Sequence, residues 1–247
     1  MSAESLAERM ALWARTLAAE PDQGALRSSV ATMTVAEVPG AYAAGVSLLG
    51  GSRFSARATE GRVRIEAAQY AVREGPCLDA LAARASIRSD DLTVDARWPR
   101  LAPHAVKAGV RSALALGLFV TGQPLGVLSV YAPSAGAFGQ LAEAVAGVLA
   151  AHASVAIASA NAQLELRTAL RSRDLIGQAK GVLMQRYGMT SEEAFDWLVT
   201  TSQTSNTKLR DVARELITSR DPTSWRFGPP TGPPTVRPSG RESRRGW

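Results

Sequence analysis

The chain has 247 residues, 46% of them hydrophobic and 20% charged, enough for one full core and a smaller module. Its single cysteine, Cys77, excludes an intrachain disulfide and any multi-cysteine zinc or iron-sulfur site, and two histidines, His104 and His152, leave metal chemistry little to work with. The net charge of +6 is unevenly spread: residues 1–170 carry 15 Lys/Arg against 14 Asp/Glu, residues 171–220 carry 8 against 6, and residues 221–247 carry 5 against 2. A polyanion would therefore be drawn most strongly to the C-terminal end.

Elements follow in chain order. Leu6, Met10, Trp13 and Leu17 are spaced by four, three and four, which predicts an N-terminal helix, and a second is expected over Ala25 to Val38, stopping near Pro39-Gly40. "AYAAGVSLL" and "RFSARAT" read as strands joined at Gly50-Gly51, and "SALALGLFV" and "LGVLSVYA" as strands joined by "TGQP". An antiparallel sheet with helices on one side is the economical arrangement of these pieces. No N-terminal run has the form of a signal peptide, and Pro, Gly or charged residues interrupt each apolar segment, so the chain is expected to be cytoplasmic, with no membrane partner. The alanine-rich "LAEAVAGVLAAHASVAIASANAQLELRTAL" reads as a soluble helix. Val148, Val155, Ala162, Ala169 and Ile176 recur along it every seven residues, with Leu166 in support, which predicts a parallel helical seam and a homodimer. His152, Ser159 and Arg173 occupy other positions and weaken that seam.

Leu175 to Thr218 divides into three short helices. Leu175, Ile176, Ala179, Val182, Leu183 and Tyr187 share a face of the first, which Gly188 ends. Thr190 and Glu193 have capping-box spacing ahead of the second, whose buried side is Ala194, Phe195, Leu198 and Val199. Asn206 offers a cap for the third, with Leu209, Val212, Ala213, Leu216 and Ile217 facing inward. Arg210 and Arg214 lie four apart on one flank of it, Lys208 on the other, and Lys180 borders the core stripe of the first helix. The remaining "DPTSWRFGPPTGPPTVRPSGRESRRGW" has too few aliphatic residues to offset ordering entropy, and residues 221–247 are expected to be a disordered basic tail.

No catalytic constellation is visible: there is no Gly-x-Ser-x-Gly elbow, no P-loop and no Gly-x-Gly-x-x-Gly. Asp90-Asp91 reads as a turn cap ahead of an acid-base or metal pair. Cys77 reads as an inert buried thiol ahead of a redox or chromophore-attachment site, and His104 as a helix-end residue ahead of a haem ligand. An enzyme is not expected.

Two resemblances sharpen this reading. "QYAVREGPCLDAL" (69–81), the stretch 90–132 and the following "AFGQLAEAVAGVLAAHASVAIASA" together resemble a GAF sensor domain of the actinobacterial type over roughly residues 24–160, which implies a central antiparallel sheet with flanking helices and a cavity for a small-molecule ligand of unknown identity. Residues 175–217 resemble the ANTAR family of transcription antitermination regulators, through Ala179-Lys180-Gly181, Glu193-Ala194-Phe195, Asn206 with Lys208-Leu209, and Asp211-Val212-Ala213. That resemblance implies an RNA-binding three-helix domain that favours stem-loops in nascent transcripts. On it, the predicted RNA-facing residues are Lys180, Arg186, Lys208, Arg210 and Arg214. The expected class is therefore α+β: a GAF-like domain with an N-terminal helix over 1–160, an ANTAR domain over 161–220 that includes the end of a connecting coiled-coil helix, and the tail. Two other functions fit the same helices: a helix-turn-helix reading duplex DNA, and a ligand sensor acting through protein partners.

Overall fold

A computed structural model describes residues 3–50, 53–58, 63–219 and 225–230. The chain separates into two compact units, Met1–Gln163 and Leu164–Trp247. In the first, α1 (Ala3–Ala18) and α2 (Gln23–Glu37) precede strands β1 (Ala43–Gly50) and β2 (Arg53–Ala58). Next come α3 (Val63–Val72), α4 (Pro76–Ala83), β3 (Ile87–Ser89), α5 (Ala102–Ala108), β4 (Ser112–Val120) and β5 (Gln123–Ala132). Helix α6 (Gln140–Tyr187) then runs past the unit boundary, and α7 (Ser191–Thr204) and α8 (Leu209–Thr218) complete the second unit.

The five strands form one antiparallel sheet in the order β2-β1-β5-β4-β3. Both expected hairpins are present, although Gly51 and Thr59 lie outside the described residues. Helices cover both faces of the sheet, not one. The reason is legible in β4 and β5, where Ser112–Leu116 and Gly126–Ala132 are buried without alternation, so each face needs a cover. On one face Leu114, Leu116, Leu118, Leu128 and Val130 pack against Trp13 and Leu17 of α1, Leu26 and Val30 of α2, and Val145, Leu149, Ala153 and Ile157 of α6. On the other, Ala113 and Tyr131 meet Ile65 of α3, Ala105 of α5, Trp98 and Leu101 just ahead of α5, and Val110 after it. Leu6 lies outside the described side chains.

Local chemistry sets the element ends. The Asp22 carboxylate accepts from the Gly24 and Ala25 N–H groups at 2.6 and 2.9 Å, which starts α2 two residues earlier than periodicity places it. Gly75 has φ of +145°, and a Cβ there would stand 2.3 Å from Gln69 Oε1, so only glycine leaves room for the Gln69 side chain at the head of α4. Asp91 caps a turn, accepting from the Thr93 N–H and hydroxyl at 3.1 and 2.6 Å. Its bonds from Arg111 and Thr93 hold the carboxyl down to about 2, so it stays ionised as an ion-pair partner.

By length and composition α6 is long and apolar enough to cross a membrane, contrary to the expectation that every such segment is interrupted. Its apolar stretch is committed elsewhere: Ala142, Val145, Ala146, Leu149, Ala150, Ala153 and Ile157 are buried in the first core.

In the second unit, the expected first short helix is the last part of α6, continuous with the connecting helix. Gly188 ends it in the left-handed conformation (φ +66°), its N–H bonded to the Met184 carbonyl at 3.0 Å. The Thr190–Glu193 capping box opens α7: Thr190 Oγ1 accepts from the Glu193 N–H at 3.2 Å, and Glu193 Oε2 accepts from the Thr190 N–H at 2.8 Å. Asn206 does not cap α8. It takes φ +50° at the end of α7, a left-handed turn that asparagine tolerates, and Lys208 stands at the cap position of α8 with no side-chain cap bond. Ala179, Leu183, Met189, Ala194, Leu198, Val212, Ala213 and Leu216 form the core of this unit.

Part of the expected disordered tail belongs to that core. Trp225 is 5% exposed, with its ring 6.0 Å from Tyr187 and 6.3 Å from Trp197, and the Arg226 N–H donates to Glu215 Oε1 at 2.9 Å. One aromatic ring fills what the aliphatic count missed. Residues 231–247 lie outside the described residues.

Candidate nucleic-acid interface

Five basic residues were expected on one surface of the second unit. Arg186, Lys208 and Arg214 are exposed, and Lys180 and Arg210 are half-buried. Arg210 and Arg214 share one carboxylate, with Asp211 Oδ1 at 3.8 Å from Arg210 Nε and 2.7 Å from Arg214 Nη1. These are exposed pairs, worth little to stability and easily exchanged for phosphate. Lys180 has a different neighbour: its Nζ lies 5.8 Å from the centroid of the Phe195 ring, within cation–π range. Half-buried on α6 next to the fully buried Ala179, it brings its ammonium to the aromatic ring. Phe195 itself is 41% exposed, so it does not belong to the buried side of α7 as periodicity placed it; Ala194 and Leu198 do. Met184, one turn beyond Lys180 on α6, is equally exposed.

The first unit holds a buried polar centre between β1, β5, α3 and α4. Ser47 Oγ donates to Glu66 Oε2 at 3.2 Å. Gln69 Nε2 donates to the Tyr131 hydroxyl at 3.1 Å, and Gln69 Oε1 accepts from the Cys77 N–H at 3.0 Å. Cys77 Sγ lies 3.0 Å from Ser129 Oγ and 3.8 Å from the Tyr131 hydroxyl. Glu66 is completely buried and its Oε1 has no hydrogen-bond partner among the described residues. Burial, offset in part by the Ser47 bond, raises its carboxyl from 4.5 to about 7. Burial, with the nearby Glu66 charge, also pushes the Cys77 thiol up to about 11, which suppresses the thiolate that redox or attachment chemistry needs. His104 is exposed on α5, and His152 faces a second feature.

That feature is a cavity of about 550 Å³ on the opposite, helical side, between α1, α2 and α6. Met10, Leu17, Leu26, Val148, His152 and Val155 are among its lining residues. Val148 and Val155 are the first two positions of the predicted seam, and Val155 is 66% exposed at the cavity edge. Farther along α6, Leu164, Leu166 and Leu170 are also exposed.

Comparison with known proteins agrees with this division. The GAF domain family model matches residues 26–158, and the ANTAR domain model matches residues 164–217. Among solved structures, the chain is similar to the GAF domain of a phosphoenolpyruvate-protein phosphotransferase from Coxiella burnetii (17% identity, 66% of this chain and 98% of that chain, TM-score 0.53). It is likewise similar to the GAF domain of the Acinetobacter phosphoenolpyruvate-protein phosphotransferase (15% identity, 67% and 99%, TM-score 0.51). At such identities the likeness is one of fold. No curated protein matches the chain. With a GAF match over more than half its length and an ANTAR match behind it, the chain belongs to the GAF domain family and is a regulatory protein that joins a GAF domain to an ANTAR domain.

Proposed function

We infer that this protein is a cytoplasmic antitermination regulator whose ANTAR domain binds stem-loops in nascent RNA under the control of a ligand bound by its GAF domain. The observation that carries the reading is the ANTAR match over 164–217, on a unit that presents Lys180, Arg186, Lys208, Arg210 and Arg214 at its margins. Among the described residues only Arg210 and Arg214 of these five have an acidic partner, and it is the same one. Ammonium and guanidinium groups on α6, at the Lys208 cap and on α8 supply phosphate contacts, and unpaired loop bases supply the distinction from duplex.

The test is binding of the full chain to hairpin RNA and to a DNA duplex of matched length over a series of salt concentrations. Hairpin RNA is expected to bind more tightly, with affinity falling as salt rises. Lys180→Ala is expected to weaken hairpin binding by about 1–3 kcal/mol, while Arg210→Ala and Arg214→Ala act evenly across RNA sequences. A preference for the DNA duplex would replace this reading with a helix-turn-helix one, and no nucleic-acid binding at all would favour a sensor that works through protein partners.

The reading includes a parallel homodimer along α6, supported by the exposed Val155, Ala162 and Ala169 at heptad spacing. Sedimentation at tens of micromolar, roughly the range for a modest interface, is expected to give twice the chain mass, and a monomer there would remove the dimer from the proposal.

A further inference from the structure

Phe195 sits in a motif whose other members have structural duties. Glu193 closes the capping box and Ala194 is fully buried, yet Phe195 directs its ring outward. Lys180 Nζ lies over that ring, and Met184 continues the exposed apolar surface along α6. Two glycines complete the face. Gly177 and Gly181 each lie three positions before one of these residues, Lys180 and Met184, on the same side of α6, inside the helix, where glycine destabilises relative to alanine. Neither has a positive φ, and beyond the helix's own backbone a Cβ built on either meets no atom of the described residues within 4 Å. Nothing among the described residues therefore requires them. What a missing Cβ offers at such a place is close approach to the helix backbone from outside.

We propose that Phe195 is a stacking platform for an unpaired base of the bound RNA, with Lys180 at the adjoining phosphate and the bare Gly177–Gly181 surface receiving the strand. This rests on the RNA-binding reading above and extends it to the mode of recognition. A base has a free face only where it is unpaired, so an exposed ring beside an ammonium selects loops over duplex. An apolar protein partner is the poorer fit, because covering Phe195 and Met184 would strip water from the Lys180 charge without neutralising it.

The experiment uses the full chain and a pool of hairpin RNAs with randomised loops, set against a fully paired RNA of the same stem. Phe195→Ala is expected to weaken hairpin binding roughly ten- to a hundredfold, leave the weaker binding of paired RNA unchanged, and be rescued by Phe195→Trp. Because the ring is partly in water, each variant is expected to fold, which thermal melting checks. Gly181→Ala separates function from structure: it is expected to melt at the same or a higher temperature and yet bind hairpins less tightly. Parental binding of hairpins with Phe195→Ala indistinguishable from the parent would overturn the stacking platform alone. Equal losses on hairpin and paired RNA would also overturn it, and unchanged affinity in Gly181→Ala would remove the strand's approach to α6. Failure of the parent itself to bind hairpin RNA would instead sink the RNA reading and this inference with it.

Discussion

Glu66→Gln is expected to stabilise the first unit at alkaline pH and to make little difference in acid. In the folded state, burial lifts the Glu66 carboxyl from 4.5 to about 7, so between those values the native protein holds a proton that the unfolded chain has released. The group's favourable contribution is thus fully present below about 4.5 and is lost as pH rises through 7. At one pKa unit per 1.36 kcal/mol, the whole swing is roughly 3 kcal/mol. Glutamine keeps the acceptor for Ser47 Oγ and cannot ionise, so the difference in unfolding free energy between variant and parent should grow toward that size between pH 5 and pH 8, about the span of the shift. Urea unfolding at several pH values measures it, and other carboxylates cancel in the difference. A difference that stays flat with pH would mean that Glu66 finds a donor the described residues do not supply, most simply buried water at Oε1.

Trp225→Ala is expected to cost the ANTAR unit about 3–5 kcal/mol, the usual range for emptying a buried aromatic site. The ring closes the open side of a small bundle against Tyr187 and Trp197, and its neighbour Arg226 is tied to Glu215 of α8. Its Nε1 is buried without a partner among the described residues, which offsets part of that gain and places the expectation toward the lower end. Denaturant unfolding read by the circular dichroism of the helices should show the second unit melting earlier, and a chain ending at residue 220 should behave the same way. Unchanged unfolding in both would mean that the three helices suffice alone.

The contrast between these two sites shows where sequence patterns carry and where they stop. Leu183, Leu198, Val212 and Leu216 were placed by helical period because each sits at the centre of its stripe and is nearly or completely buried. Phe195 sits one residue from the fully buried Ala194, at the stripe's edge, and period alone cannot say on which side of that edge a residue falls. The strands β1, β2, β4 and β5 announced themselves by apolar runs between turn residues. Helices α3, α4 and α5 did not, being ten, eight and seven residues long and decided by packing against the sheet, and β3 has only three residues. Trp225 had no periodic neighbours to mark it; its partners lie far back in the chain. The buried centre was likewise hidden, since Ser47, Glu66, Gln69 and Ser129 meet only once β1, α3 and β5 are adjacent. The basic residues of the ANTAR unit were legible individually, and Lys180 at the edge of its stripe is where it was expected; its contact with Phe195 was not.

The strand order also governs how the chain comes to its fold during synthesis. Strand β1 lies between β2 and β5, and its second edge is completed only when Ala43 finds Tyr131, after β3, β4 and three helices have been made. Closing that long loop is entropically slow, and until β5 emerges the β1–β2 hairpin keeps an apolar edge without a partner. The ANTAR helices face a shorter wait, because their core is drawn from the single stretch between Leu175 and Phe227. A nascent chain that pauses before residue 132 therefore holds its most adhesive edge open, and that interval, not the assembly of the last three helices, is where chaperones matter most to it.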